Sequence, residues 1–263
     1  MRLKFCIQLT VLAGVMLYGG LPLVAHSALP NQETSGITLH NTRVIFPASE
    51  KRGVSYTLTN NTDNLYLLQA RVVPFEGKTE NTTETQPIVV LPPLQRFEPH
   101  ERQVLRLRVV DEHKLPTDRE SVFALTLKAI PSQSRSDVVE DKNAAENKGP
   151  SGVMLQLAVQ NNLKVFYRPQ GIAKLTPLQV SQQLQAHRQG TSLIIKNPTA
   201  YYVTFGELSV DGNKLSSTDL KRMVPPFGQQ TYSLPERVQG GEVRWRTLSD
   251  YGSLTEEQHL TLK

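Results

Sequence analysis

"VMLQLAVQNNLKVFYRP", residues 153–169, is the stretch whose reading decides the fold. Val153, Leu155, Leu157 and Val159 alternate with polar or small residues, and the same parity continues through Leu163 and Val165 to Tyr167. A period of two belongs to a β-strand with one apolar face. At about 3.3 Å per residue, an alternation running from 153 to 167 would extend roughly 50 Å, well beyond the usual strand of five or six residues. A polar, charged segment (132–152) precedes it, and Lys164 and Arg168 close it just before Pro169. Such a strand either crosses a large sheet or keeps part of its apolar face for another chain.

The surrounding sequence continues the same period. "VSYTLT" (54–59) places Val54, Tyr56 and Leu58 on one face, "NNTDN" (60–64) reads as a turn, and "LYLLQARVV" (65–73) as the next strand. Further strands are expected at 37–46, 88–91, 103–110 and 121–130. Short alternating runs, polar turns and hardly any helical periodicity indicate an antiparallel sandwich. "YRPQG" (167–171) interrupts the pattern; Pro169 fixes its own φ and keeps Arg168 extended, which makes a short, stiff hinge. Beyond it "TSLIIKN", "YYVTFGELSV", "QQTYSL", "GEVRWRTL" and "EQHLTL" repeat the all-β style. The expected organisation is a leader over 1–27, one sandwich over 28–168 and a second over 169–263, with no convincing internal sequence repeat. The 132–152 segment is longer than a structureless loop in a compact domain usually is, which points to a functional or disordered insertion.

The leader is read from a basic Met1-Arg2-Leu3-Lys4 start, an apolar run over 5–24, and the small residues Ala25 and Ser27 at a cleavage site after Ser27. Its glycines, Pro22 and small-residue exit favour cleavage over a membrane anchor, so no span is expected in the mature chain. Removing 27 of the 263 residues leaves 236, enough for one or two cores. Cys6, the only cysteine, leaves with the leader, and with it thiol chemistry and thiolate-ligated metals. Net charge falls from +5 to +3 because Arg2 and Lys4 go too. The remaining basic residues are dispersed and not interleaved with aromatics, which argues against a nucleic-acid partner.

Catalytic patterns are missing from the sequence. The mature histidines, at 40, 100, 113, 187 and 259, have no metal-binding spacing, and no G-x-S-x-G elbow, glycine-rich phosphate loop or EF-hand run occurs. Trp245 alternates with Val243 in a strand and is expected in the core. No cofactor and no metal are expected, and an enzyme is disfavoured.

Several stretches, in order, resemble the periplasmic chaperones of the chaperone–usher pathway, the PapD-like family. They are "TRVIF" (42–46), "LPPLQRFEP" (91–99), "LPTDRESVFALTLKAIP" (115–131), "LKVFYRP" (163–169), "NPTAYYVT" (197–204) and "DYG" (250–252). The resemblance implies two immunoglobulin-like β-sandwich domains in a boomerang arrangement and an ATP-independent, non-catalytic activity in the periplasm. It implies pilin subunits and an outer-membrane usher as partners, with self-association possible when the protein is free. A pilin lacking its last strand would be completed by the strand at 153–167, with main-chain bonds giving affinity and side-chain pockets specificity. Carried over by position, Val153, Leu155, Leu157 and Val159 are the donor residues. Arg43 and Lys164 fall on the pair that anchors the pilin's C-terminal carboxylate, and Glu120, Arg168 and Asp250 on an interdomain charge network. Two departures stand out. Ala124 replaces a frequent aromatic, a change expected to concern core packing. The 132–152 loop exceeds that of the short-loop branch, while the long-loop branch carries a disulfide that this mature chain cannot form, so neither branch is assigned. The alternative readings are a β-sandwich adhesin or fibre subunit and a carbohydrate-active enzyme. Only 28–37 precede the first strand, which leaves little room for a fibre subunit's donor extension.

Overall fold

The computed structural model describes residues 36–75, 85–132, 157–234 and 241–262. The expected leader, the donor positions Val153 and Leu155, and all of the 132–152 segment except Ser132 lie outside the described residues.

Along the chain come β1 (Ile37–Leu39), β2 (Arg43–Pro47), β3 (Val54–Asn60), β4 (Tyr66–Pro74), β5 (Ile88–Leu91), β6 (Leu94–Phe97), β7 (Arg102–Val109), β8 (Ser121–Pro131) and β9 (Val159–Arg168). They form two sheets, ordered β1-β3-β7-β5 and β2-β9-β8-β4-β6. After the Pro169 hinge follow α1 (Pro177–Gln183), β10 (Gln185–Gln189), β11 (Ser192–Lys196), β12 (Phe205–Val210), β13 (Asn213–Lys214), α2 (Ser217–Leu220), β14 (Gln229–Ser233), β15 (Glu242–Thr247) and β16 (Gln258–Thr261). These make the sheets β10-β11-β14 and β13-β12-β15-β16.

Alternation fixes which face each strand buries. In β7 the side chains of Leu105 and Leu107 are fully buried while Arg102, Arg106 and Arg108 face solvent; in β15 Val243 and Trp245 go inward and Arg244 outward. Two separate apolar clusters result. One gathers Phe46, Tyr56, Leu58, Phe97, Leu105 and Val165 and ends in sequence at Tyr167. The other begins at Ile172 and gathers Leu193, Phe205, Tyr232 and Trp245. Trp245 is core, as its spacing predicts, and its indole N–H donates to the Ser181 carbonyl (3.3 Å) and Oγ (3.2 Å). That ties the sheet to α1, which starts on a capping box of Thr176 and Gln179 with Pro177 in its first turn.

The structure corrects the sequence reading in four places. The strand expected over 37–46 is two strands, because the chain crosses from one sheet to the other: β1 pairs with β3, β2 runs parallel to β9, and Tyr56 Oη donates to the Asn41 carbonyl at the crossing (2.7 Å). β6 is hidden in a proline-rich run, and β10 is a polar edge strand with no apolar stripe to mark it. The short helices α1 and α2 carry too few turns to show a period. Finally, strand pairing in the long stretch begins at Val159; Leu157 and Ala158 precede it without a ladder partner.

A repeat invisible as sequence similarity also appears. Asn60 and Asn197 are fully buried, and each side-chain oxygen accepts from the backbone N–H and hydroxyl of a threonine two residues on, Thr62 and Thr199. Each amide also donates to one carbonyl four residues on in the same loop, Asn64 or Tyr201, and to one distant in sequence, Glu98 or Pro225. The same device pins one loop in each sandwich by satisfying buried carbonyls that water cannot reach.

Candidate functional site

β9 is partnered unequally along its length. On one side, β8 pairs with it continuously, from Ser121 opposite Tyr167 to Ala129 opposite Val159. On the other side, β2 begins only at Arg43 opposite Lys164 and ends at Pro47 opposite Arg168. Residues 159–163 therefore present an open sheet edge among the described residues. The apolar face changes role at the same point. Leu163, Val165 and Tyr167 are buried in their own sandwich, whereas Leu157 and Val159, of the same parity, are 67% and 55% exposed. Among the described residues the strand's first half has no partner on this edge, and Leu157 and Val159 stay exposed along it, a combination natural proteins normally avoid because it templates association.

Lys164 and Arg43 stand at the inner end of this edge. Even-numbered β9 residues point away from the core, so Lys164 and Phe166 share the outer face with Arg43 and Ile45 of β2 and Ala124 of β8. Ala124 is buried, as the sequence expectation of a packing position has it, but on the outer face of its sheet and outside the main apolar cluster, in register with Lys164. Among the described residues neither cation forms an ion pair. The Arg43 guanidinium lies 5.8 Å from the Phe166 ring centre and keeps its Nε buried without a hydrogen-bond partner. The Lys164 Nζ lies 5.3 Å from the Phe75 ring centre. Burial, with the like charge of Arg43 adding to it, lowers the Lys164 ammonium to about 8. Burial also lowers Arg43, against the attraction of Asp250 and Glu120.

Those two carboxylates are committed elsewhere. Arg168 Nε donates to Glu120 (2.8 Å), and its two terminal nitrogens donate bidentately to Asp250 (both 2.9 Å). Its guanidinium stacks 4.9 Å from the Tyr201 ring centre. Glu120, 3% exposed, accepts the Tyr202 N–H (2.9 Å), and its own N–H donates to the Ala200 carbonyl (2.9 Å). Residues from both sides of the hinge thus meet at one guanidinium. Gly252 makes the second close approach: its φ is +82°, and a Cβ there would stand 2.6 Å from Thr42 Oγ1, next to Arg43. Among the described residues the cleft holds three cations (Arg43, Lys164, Arg168) against two carboxylates. One added carboxylate would balance it.

All five charged residues singled out in the sequence stand in this cleft, and of the four donor positions Leu157 and Val159 lie on its edge. The rings of Phe75 and Phe166 against the cations were missed. Phe166 sits beside Lys164 in "LKVFYRP", but nothing in the sequence around Phe75 signals that it reaches a strand two places away. Among the described residues no cluster of three or more His, Cys, Asp or Glu could hold a metal, and no helix is long and apolar enough to cross a membrane.

Both sandwiches match models of the pilus-assembly chaperones, so the chain is a member of the PapD family. It matches the pili and flagellar-assembly chaperone PapD N-terminal domain over residues 36–173 and the pili assembly chaperone PapD C-terminal domain over 179–259. It is 32% identical to the chaperone protein FimC of Escherichia coli K12 over 254 residues, covering 97% of this chain and 92% of FimC. It is 34% identical to the Escherichia coli chaperone FocC over 227 residues, covering 86% and 90%. Among solved structures, the chain resembles one of the Salmonella enterica SafA pilin in complex with the SafB chaperone. The TM-score is 0.70 at 27% identity, covering 87% of this chain and 97% of the other.

Proposed function

We propose that this protein is a periplasmic chaperone that captures pilin subunits by lending them a β-strand, holds them folded and hands them to an outer-membrane usher. In this reading residues 1–27 are a cleaved leader, 28–168 and 169–263 are the two immunoglobulin-like domains, and no catalytic step or cofactor is involved. The observation that carries it is the edge of β9 left open among the described residues, with apolar side chains exposed along it and, at its end, two cations that form no ion pair there.

The cations also fix the direction of the guest. A strand added to this edge takes the place in the sheet that β2 occupies further along. Running parallel to β9, it brings its C-terminus to Arg43 and Lys164; running antiparallel, it brings a cationic N-terminus there. Two partly dry cations favour the carboxylate through charge-assisted hydrogen bonds and repel the ammonium. Main-chain ladder bonds then hold the guest, and Val153, Leu155, Leu157 and Val159 fill the gap left by its missing strand. The network of Glu120, Arg168 and Asp250 holds the domains so that the cleft keeps its shape. Its role is geometric, since a buried pair such as Arg168 with Glu120 adds little net stability over well-packed apolar residues of similar volume, although breaking one side of it is costly.

Leu157→Asp tests the reading. Leu157 is exposed, so the variant folds and melts as wild type does. Its carboxylate cannot enter an apolar groove unpaired, so pilin co-expressed with it is degraded instead of recovered in complex. Wild-type pilin recovery with this variant and with Val159→Asp would remove the donor-strand assignment; loss of the chaperone itself would mean that these residues serve their own core.

A further inference from the structure

The Lys164 ammonium faces a ring that stands just past the end of β4, a strand that does not pair with β9. Sheet order places β8 between β9 and β4, with Lys164, Ala124 and Val73 in register across the three strands. Phe75 follows Pro74, the last residue of β4, and its ring reaches back over this row to within 5.3 Å of Lys164 Nζ. Ala124 and Val73, although on the outer face of their sheet, are buried, at 5% and 4% exposure. Phe75 also lines a cleft with Val122, Tyr202, Met223 and Pro225, so residues of both domains stand around the ring. The ring stands on the β8 side of Lys164; the open edge lies on the β2 side.

Resting on the reading that Arg43 and Lys164 receive a chain terminus, we propose that Phe75 is a positioning and specificity-determining residue of that anchor. Its ring face takes the place of an anion against the ammonium. It excludes water from one side and leaves the charge directed to the edge where a carboxylate arrives. A cation is attracted to a ring face strongly enough to be held, yet less strongly than to a carboxylate, so it remains available. The small side chain of Ala124 is what admits the ring.

The test uses the mature full-length protein and an acetylated peptide of about ten alternating valine and threonine residues, prepared as the free acid and as the amide. The readouts are the ratio of the two affinities and the Lys164 side-chain resonances. Wild type prefers the acid, and its Lys164 Cε protons are shifted upfield by the ring. Phe75→Leu binds the amide unchanged but loses roughly three- to thirty-fold of the acid preference, while Phe75→Trp keeps it. An unshifted Lys164 resonance in the wild type overturns the proposal. So does a Phe75→Leu variant with the full acid preference, or one that weakens acid and amide alike, since that is loss of structure and not of positioning. A wild type indifferent to the terminal group fails differently: it removes the carboxylate anchor itself.

Discussion

Lys164→Ala leaves the protein folded but lowers its affinity for a chain ending in a free carboxylate by roughly 30- to several thousand-fold. The reason is the dryness of the site. An exposed lysine lost from a strand costs less than about 0.5 kcal/mol. Removing one partner from a desolvated charge pair leaves the other charge half paired and costs about 2–5 kcal/mol, with each 1.4 kcal/mol a factor of ten. Lys164→Arg rescues only in part, because a planar fork replaces a compact ammonium. Isothermal titration with acid and amide forms of one peptide reads the effect: the alanine variant ceases to distinguish them. The pH profile follows from the Lys164 pKa of about 8, set by burial and by Arg43. Below that pH the ammonium is charged in the free protein and affinity is flat. Above it, binding the carboxylate must take up a proton, so affinity for the acid falls by up to about tenfold per pH unit. Folding stability moves the other way. The folded pKa lies below the ordinary 10.5, so the cost of the buried charge is full below about 8 and is relieved as pH rises towards 10.5. Acid-peptide affinity that stays level through pH 9.5 would show that Lys164 does not hold the terminus.

Arg168→Ala is expected to be the most destabilising single change in the cleft. It strips the buried Glu120 of its hydrogen-bonded cation, leaving the Tyr202 N–H as its remaining hydrogen-bond donor, and it leaves Asp250 with the attraction of Arg43 in place of its bidentate partner. Breaking one side of a buried pair costs about 3–5 kcal/mol, equivalent to a fall in Tm of roughly 6–20 °C for a chain of this size. Small-angle scattering should broaden at the same time, because Asp250 and Glu120 reach the guanidinium from opposite sides of the hinge. Glu120→Met combined with Arg168→Met should recover much of the lost melting temperature, since an apolar pair removes both charges, but not the scattering envelope. A wild-type melting curve and envelope for Arg168→Ala would reduce the network to surface charge.

The alternation of Leu157, Val159, Leu163, Val165 and Tyr167 was legible because a strand's period of two is a local property. So were Trp245 in its core strand and the stop at Pro169. The crossing between β1 and β2 was not, since a strand that changes sheets keeps its period throughout; nor were β6 and β10, where prolines and an exposed edge erase the apolar stripe. The charged residues of the cleft could be named only through the family that the whole pattern resembles, because Arg43, Glu120, Lys164, Arg168 and Asp250 are scattered over more than two hundred positions. The sequence by itself determined the all-β class, the overlong apolar strand and the hinge, which depend on neighbours within a few residues. Tertiary structure alone decided that β2 stops opposite Lys164, leaving the rest of β9 open, that Arg168 consumes both carboxylates, and that Phe75 reaches Lys164 across Ala124. Each depends on strand order and register, and these are set by how two faces pack rather than by any local run of residues.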